Sequence, residues 1–117
     1  MNHTVLLVED DADLRHLMQE ALELSGYSVI AAGNGKEALD ALGRIEHVCL
    51  VLLDLLMPVM NGWDFYTEIQ ARPTFAEVPV IVHTSAPAQA PTGTRVLQKP
   101  VKLDRLLSVV HEYCAPT

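Results

Sequence analysis

The chain has 117 residues, half of them hydrophobic, with 8 basic and 15 acidic side chains and a net charge of −7 with neutral histidines. This length fits one compact domain, residues 1–117, and leaves no room for a second. The acidic balance argues against a nucleic-acid surface, which needs a basic stripe, and against docking on anionic lipid. No apolar stretch approaches the length of a membrane span, and a signal-peptide pattern is missing, so we expect a cytoplasmic protein.

The two cysteines are predicted to be free thiols. Cys49 lies in an apolar run, and Cys114 is its only possible partner in the chain. A chain with so few cysteines and no sign of secretion is typical of a reducing compartment, where buried thiols are more common than disulfides.

Short apolar runs alternate with amphipathic segments along the whole chain. The runs at 4–8, 27–32, 48–53, 78–83 and 95–98 are predicted strands. The third and fourth runs are apolar on both faces, which is typical of strands in a buried parallel sheet.

Four helices are predicted beside these strands. The first has an apolar stripe from Leu14 to Leu22 and ends at Gly26. Asn34 and Glu37 resemble a capping box at the start of the second. The third begins near Asn61 and stops before Pro73, and the last has apolar residues on one side from 103 to 114.

Strand and helix alternation of this kind predicts an α/β protein with a parallel sheet and helices on both faces. Five strands in a chain of this size suggest a doubly wound, flavodoxin-like sheet with strand order 2-1-3-4-5. The segment TSAPAQAPTGT at 84–94 interrupts the alternation, because its two prolines and one glycine leave room for at most one helical turn.

Chemically active side chains follow the predicted strands at their carboxyl ends, where ligands bind in open α/β sheets. Such residues taken singly are usually turns or caps, but their coincidence at four strand ends favours a functional site. The residues in question are Glu9-Asp10-Asp11, Asp54, Thr84-Ser85 and Lys99-Pro100.

Clustered carboxylates repel one another unless a proton or a cation compensates them. Oxygen ligands without histidine or cysteine suit Mg²⁺, which shares its remaining positions with phosphate oxygens. Lys99 and Thr84 supply the charge and the hydrogen-bond donor that a transferred phosphoryl group needs. Aspartate can form an acyl phosphate, and Asp54, central in the sheet, is the expected nucleophile.

Four stretches together resemble the receiver domain of two-component response regulators, over the whole chain. They are LLVEDDADLR (6–15), LLDLLMPVMNG (52–62), VPVIVHTSA (78–86) and VLQKPVKLDRLL (96–107). The resemblance implies that Asp54 accepts a phosphoryl group from a phosphohistidine of a sensor histidine kinase or a histidine phosphotransfer protein. It implies a signalling switch with an unknown downstream protein, without turnover of a separate substrate. Because the sequence ends a few residues past the last predicted helix, we expect no attached output domain.

The same resemblance implies the role of each site residue. Asp10, Asp54 and the backbone carbonyl of Leu56 would bind Mg²⁺ directly, and Glu9 mainly through water. Thr84 would contact the phosphoryl group and Lys99 would pair with it. Three further implications concern the surrounding loops: Pro100 would follow a cis peptide bond, Ser85 would belong to the switch, and Gly62 would be needed for its backbone freedom.

The sequence departs from the family pattern in the region expected to report phosphorylation, residues 84–98. The interval between Thr84 and Lys99 is shorter than usual by about two helical turns, so the helix between strands 4 and 5 is expected to be absent or reduced to one turn. Val96 stands where the family usually has an aromatic switch residue. Without the usual dimerisation face, the chain is expected to be a monomer or a weak dimer.

Other functions remain open at this point. A degenerate receiver that binds partners without phosphorylation is the main alternative. A Mg²⁺-dependent phosphatase would usually have a second acid where Leu56 stands, and the acidic EDDAD at 9–13 would repel a flavin phosphate. The chain could act alone or be one domain of a hybrid kinase.

Overall fold

The computed structural model describes residues 3–45 and 47–115 and contains five strands and four α-helices. In chain order these are β1 (Thr4–Val8), α1 (Ala12–Leu24), β2 (Ser28–Ala32), α2 (Gly35–Leu42), β3 (Leu50–Leu53), α3 (Gly62–Gln70), β4 (Val80–Thr84), β5 (Arg95–Gln98) and α4 (Leu103–Tyr113). A short 3₁₀ turn, Pro87–Gln89, lies between β4 and β5.

The strands form one parallel sheet in the order β2-β1-β3-β4-β5. The predicted flavodoxin-like order is therefore confirmed, and the helix expected to be reduced is the 3₁₀ turn. Three strands are shorter at their start than the apolar runs suggested, because Tyr27, Val48 and Val78 pack as core residues before strand pairing begins. Strand β4 also extends one residue further, to Thr84.

Two apolar cores lie on opposite faces of the sheet. One is beneath α2 and α3, with Phe65 and Ile69 of α3 fully buried in it. The other is beneath α1 and α4 and includes Met18, Leu22 and Leu106. Because the helices cover both faces of the sheet, a ligand site built on the strands is expected at their ends.

Three helix starts are fixed by side-chain caps, and the sequence indicated the one at Asn34. Asp11 accepts a hydrogen bond from the N–H of Leu14, Asn34 from that of Glu37, and Asn61 from that of Asp64. Each cap satisfies an N–H group that the helix cannot pair internally. No helix in the described ranges is long and apolar enough to cross a membrane.

Cys49 and Cys114 form a disulfide, with Cα atoms 5.8 Å apart. The expectation of free buried thiols is therefore wrong. Cys49 precedes β3, and Cys114 follows α4, which returns antiparallel to the strands and ends at the same edge of the sheet. A pairing across 65 positions depends on this return path, which composition alone does not reveal.

We expect the disulfide to stabilise the fold strongly. Closing a loop of this length removes conformational entropy from the unfolded chain, so reduction should lower the free energy of unfolding by about 4 kcal/mol. Urea unfolding with and without a dithiol reductant measures the difference. A double variant, Cys49→Ser with Cys114→Ser, should unfold at the lower midpoint and be insensitive to the reductant; equal midpoints for oxidised and reduced wild type would contradict the prediction.

Candidate functional site

The candidate site lies at the carboxyl ends of β1, β3, β4 and β5. Backbone hydrogen bonds extend the sheet one residue past its strands and fix the residues there. The N–H of Glu9 donates to the carbonyl of Ala32 (3.0 Å), and that of Asp54 donates to the carbonyl of Val8 (3.0 Å). The N–H of Lys99 donates to the carbonyl of Thr84 (2.8 Å). These residues are therefore held by the sheet rather than by flexible loops.

Three acidic side chains converge at this edge. Carboxylate oxygens of Glu9, Asp10 and Asp54 lie within 4.8 Å of one another. Glu9 and Asp54 are buried, with 1% and 4% of their surface exposed, whereas Asp10 is exposed. All three offer only oxygen atoms, a donor set that fits Mg²⁺, and the exposed Asp10 leaves a side open to water. Asp11, the fourth acid of the predicted group, caps α1 instead.

Lys99 supplies the positive charge inside the cluster. Its Nζ lies 2.9 Å from Glu9 Oε1 and 3.4 Å from Asp54 Oδ2. Burial alone would lower the pKa of Lys99, but the adjacent Glu9 and Asp54 outweigh it and raise the pKa. The ammonium group therefore stays charged and is shared between two buried carboxylates.

Asp54 remains short of compensating charge. Burial, and then the charge of Glu9, raise the pKa of Asp54 to about 7, although Lys99 acts in the opposite direction. A second cation beside Asp54 would favour its ionised form. The protein alone therefore holds the carboxylate only partly ionised near neutral pH.

The other predicted site residues surround this cluster. The hydroxyl oxygen of Thr84 accepts a hydrogen bond from the N–H of Ala86 (3.0 Å), and Thr84 is completely buried, whereas Ser85 is exposed. The N–H of Leu56 donates to Asp54 Oδ1 (3.3 Å), and the Leu56 side chain is half-exposed. Val96 is half-buried on β5.

The peptide bond between Lys99 and Pro100 is cis, as expected. Gly62 was expected to be needed for its backbone freedom, and this expectation is wrong. The described glycines with positive φ are Gly26 and Gly93, so Gly62 does not need unusual backbone freedom. A Cβ at position 62 would instead collide with the carbonyl of Asp54 and come within 2.7 Å of Leu55 Cα. Gly62 is required because α3 begins in contact with the backbone of the Asp54 loop.

A contact that the sequence did not indicate ties the segment after β4 to α3. The indole Nε1–H of Trp63 donates to the carbonyl of Gln89 (2.7 Å), at the end of the 3₁₀ turn. The Trp63 ring also packs partly against the core beneath α2 and α3. No sequence signal identifies a hydrogen bond between a side chain and a distant backbone carbonyl, because any backbone carbonyl can accept one.

Comparisons with known proteins agree with this geometry. The sequence profile of the response regulator receiver domain matches residues 5–111. The chain belongs to the response regulator receiver family. The transcriptional regulatory protein CpxR of Escherichia coli is 41% identical over 81 residues, which are 69% of this chain and 33% of that protein. The match spans about a third of the length of CpxR and of the ycf27 transcriptional regulator of Porphyridium aerugineum.

Two solved structures show the same fold over nearly the whole receiver chain. The receiver domain of a sensor histidine kinase from Pseudomonas aeruginosa is 26% identical, has a TM-score of 0.86 and covers 97% of this chain and 98% of that one. It holds a magnesium ion in its active-site cleft. The response regulator TrrA from Thermotoga maritima, in complex with Mg²⁺ and beryllium fluoride, is 26% identical with a TM-score of 0.83, covering 97% and 99%.

The raised pKa of Asp54 predicts a pH-dependent stability. The folded protein keeps a proton that the unfolded chain loses above its ordinary pKa of 3.8, so this group costs stability as the pH rises from about 4 to about 7. Asp54→Asn removes the buried charge and should raise the free energy of unfolding at pH 8, by roughly 1–3 kcal/mol.

The gain should shrink at pH 5, where Asp54 of the folded wild type is protonated. Urea unfolding in a chelator measures both values, and Asp40→Asn, an exposed position on α2, is the matched control. An equal gain at pH 5 and pH 8 would show that Asp54 is ionised throughout.

Proposed function

We propose that this chain is the phosphoacceptor switch of a two-component phosphorelay, with Asp54 as the acceptor. The donor is a phosphohistidine on a sensor histidine kinase or a histidine phosphotransfer protein. The observation that carries the proposal is the cluster in which Glu9, Asp10 and Asp54 approach one another while Lys99 reaches both buried carboxylates. A pure interaction module has no need of a buried, undercompensated acid.

Mg²⁺ fits the acidic cluster and would be held by Asp10, Asp54 and the backbone carbonyl of Leu56, with Glu9 acting through water. When bound, the ion would offset the negative charge of the carboxylates and of the phosphoryl oxygens. Support comes from the all-oxygen donor set and from the magnesium-containing relatives in the same family.

In the proposed transfer, a carboxylate oxygen of Asp54 forms a bond to phosphorus as the bond from phosphorus to the donor imidazole nitrogen breaks. Lys99 moves from its position between Glu9 and Asp54 to a phosphoryl oxygen, where its positive charge stabilises the negative charge of the transferred group. The chain catalyses this step on itself and later loses the phosphoryl group to water, so no separate substrate is turned over.

The segment 84–98 is proposed to report phosphorylation, with Ser85 and Val96 moving with it and Pro100 closing it behind Lys99. Thr84 is completely buried, and its hydroxyl oxygen is already bonded within the 84–86 turn. The hydroxyl can accept this bond and still donate its own O–H to a phosphoryl oxygen on Asp54. Because the N–H of Ala86 is bonded to the same oxygen, we expect the 84–86 turn to move with the Thr84 side chain. The shift passes along the backbone to Gln89, which Trp63 holds.

The proposed setting is the cytoplasm, as part of a phosphorelay with an unidentified downstream protein and a monomeric or weakly dimeric receiver. The bond between Cys49 and Cys114 is the observation against a reducing compartment. Trapping free thiols with an alkylating reagent in intact cells distinguishes the two settings. The shortened connection between β4 and β5 is the observation that favours the alternative, a phosphorylation-independent interaction module.

Phosphorylation should be detected by intact mass. With Mg²⁺ and acetyl phosphate, the wild type should gain one phosphoryl group, and Asp54→Asn should gain none, because the nucleophilic oxygen is lost. Asp40→Asn should behave as wild type. Lys99→Ala should be about 100-fold slower, the lower end of the range for removing a group that stabilises transferred charge. An unmodified wild type would overturn the phosphoacceptor proposal and leave the interaction module.

Phosphorylation should also change the fluorescence of Trp63, the only tryptophan in the chain. Acetyl phosphate and Mg²⁺ should alter its emission in the wild type but not in Asp54→Asn, because the Trp63–Gln89 contact responds to movement of the 84–86 turn. Trp63→Phe should still be phosphorylated but lose about 1 kcal/mol of stability with the hydrogen bond. Unchanged emission from fully phosphorylated protein would remove this segment as the reporter.

A further inference from the structure

His83 is the buried histidine next to the candidate site. It precedes Thr84 on β4 and is 3% exposed. Neither ring nitrogen has a hydrogen-bond partner among the residues that the structure describes. Buried polar atoms are nearly always paired, so an unpaired imidazole beside reacting groups points to a partner acquired in another state of the protein.

The nearest candidate partner is Glu9. His83 Nδ1 lies 3.9 Å from Glu9 Oε1, the same oxygen that Lys99 Nζ approaches to 2.9 Å. That oxygen has the ion pair with Lys99 but no well-aligned hydrogen bond among the described residues, whereas Oε2 accepts one from the N–H of Asp11 (3.2 Å). Among the described residues, Lys99 is therefore the one cation that compensates Glu9 Oε1.

Phosphorylation of Asp54 would draw Lys99 away from Glu9. The same ammonium lies 3.4 Å from Asp54 Oδ2, and the phosphorylated side chain carries about 1.5 to 2 negative charges where the carboxylate carried at most one. Lys99 moving onto the phosphoryl group leaves Glu9 Oε1 buried without its counter-charge. A replacement donor must come from a side chain that is already adjacent.

We propose that His83 is a positioning residue that takes Glu9 over from Lys99 when Asp54 is phosphorylated. This inference rests on the proposed phosphoacceptor function. A shift of about 1 Å brings Nδ1–H to an ordinary hydrogen-bond distance from Glu9 Oε1. A cavity of about 140 Å³, lined by Leu14, His83, Lys99, Pro100 and Val101, leaves the ring and the lysine space to move.

A neutral imidazole suits this role. A neutral ring donates from one nitrogen only. Donation from Nδ1 holds the Glu9 carboxylate in place without adding a second cation that would compete with Lys99 for the phosphoryl group.

Three substitutions separate this role from simple packing. His83→Asn places an amide N–H near the position of Nδ1, His83→Gln places one near Nε2, and His83→Leu keeps bulk without a donor. The probes are Mg²⁺ alone, which represents the resting site, and beryllium fluoride with Mg²⁺, which represents the phosphorylated site. Calorimetric titration gives both affinities, and urea unfolding gives the stability of each variant.

His83→Leu and His83→Gln should bind beryllium fluoride about 10-fold more weakly, the usual effect of losing a group that orients a ligand of a metal site. Their affinity for Mg²⁺ alone should be unchanged, and His83→Asn should recover most of the loss. In wild type, the imidazole ¹⁵N–¹H spectrum should show a protected Nδ1–H only with beryllium fluoride, and this measurement does not depend on any variant folding.

Two results would overturn the inference while leaving the phosphoacceptor function intact. One is wild-type affinity for beryllium fluoride in His83→Leu; the other is an equal loss in the Asn and Gln variants, which would mean packing alone. A wild type that neither gains a phosphoryl group nor binds beryllium fluoride would overturn the proposed function, and the role of His83 with it.

Discussion

Two buried carboxylates and one ammonium group define this site, and the shortage of positive charge governs what surrounds it. Glu9 and Asp54 cannot move apart, because the backbone of each is bonded into the sheet directly after a strand. Lys99 reaches both but compensates only one charge. The second negative charge is compensated by a proton on Asp54 or by a cation that Asp10 helps to hold. Parallel strands and their covering helices supply the rigidity that keeps this imbalance in place.

The reduced connection between β4 and β5 changes how such a site can communicate. Where a helix would cover the sheet, a 3₁₀ turn and a short loop do so, with Ala90 packed against the core beneath α2 and α3. Val96 on the neighbouring strand stays half-buried. A segment with few packed apolar side chains opens at low cost. The indole of Trp63 is then a principal restraint on it, and it comes from the helix that follows Asp54.

Much of the fold and the acidic cluster could be predicted because both follow from short-range rules. Apolar runs gave the strands, and the parallel order placed Asp54 and Lys99 at one edge. The disulfide and the Trp63–Gln89 bond could not be predicted, since each joins positions whose proximity depends on how the helices return. Gly62 was singled out correctly but for the wrong reason, because a steric approach between backbones leaves the same residue type as a positive φ.

The disulfide also divides the chain mechanically. The bond between Cys49 and Cys114 closes the intervening chain into a covalent ring that contains Asp54, Thr84 and Lys99. Glu9 and Asp10 lie outside it, on the segment that carries β1 and β2. A force applied to the two ends of the chain passes through the sulfur atoms and bypasses the ring. Tension would therefore pull out β1, which brings Glu9 and Asp10, while Asp54 and Lys99 remain within one covalent ring.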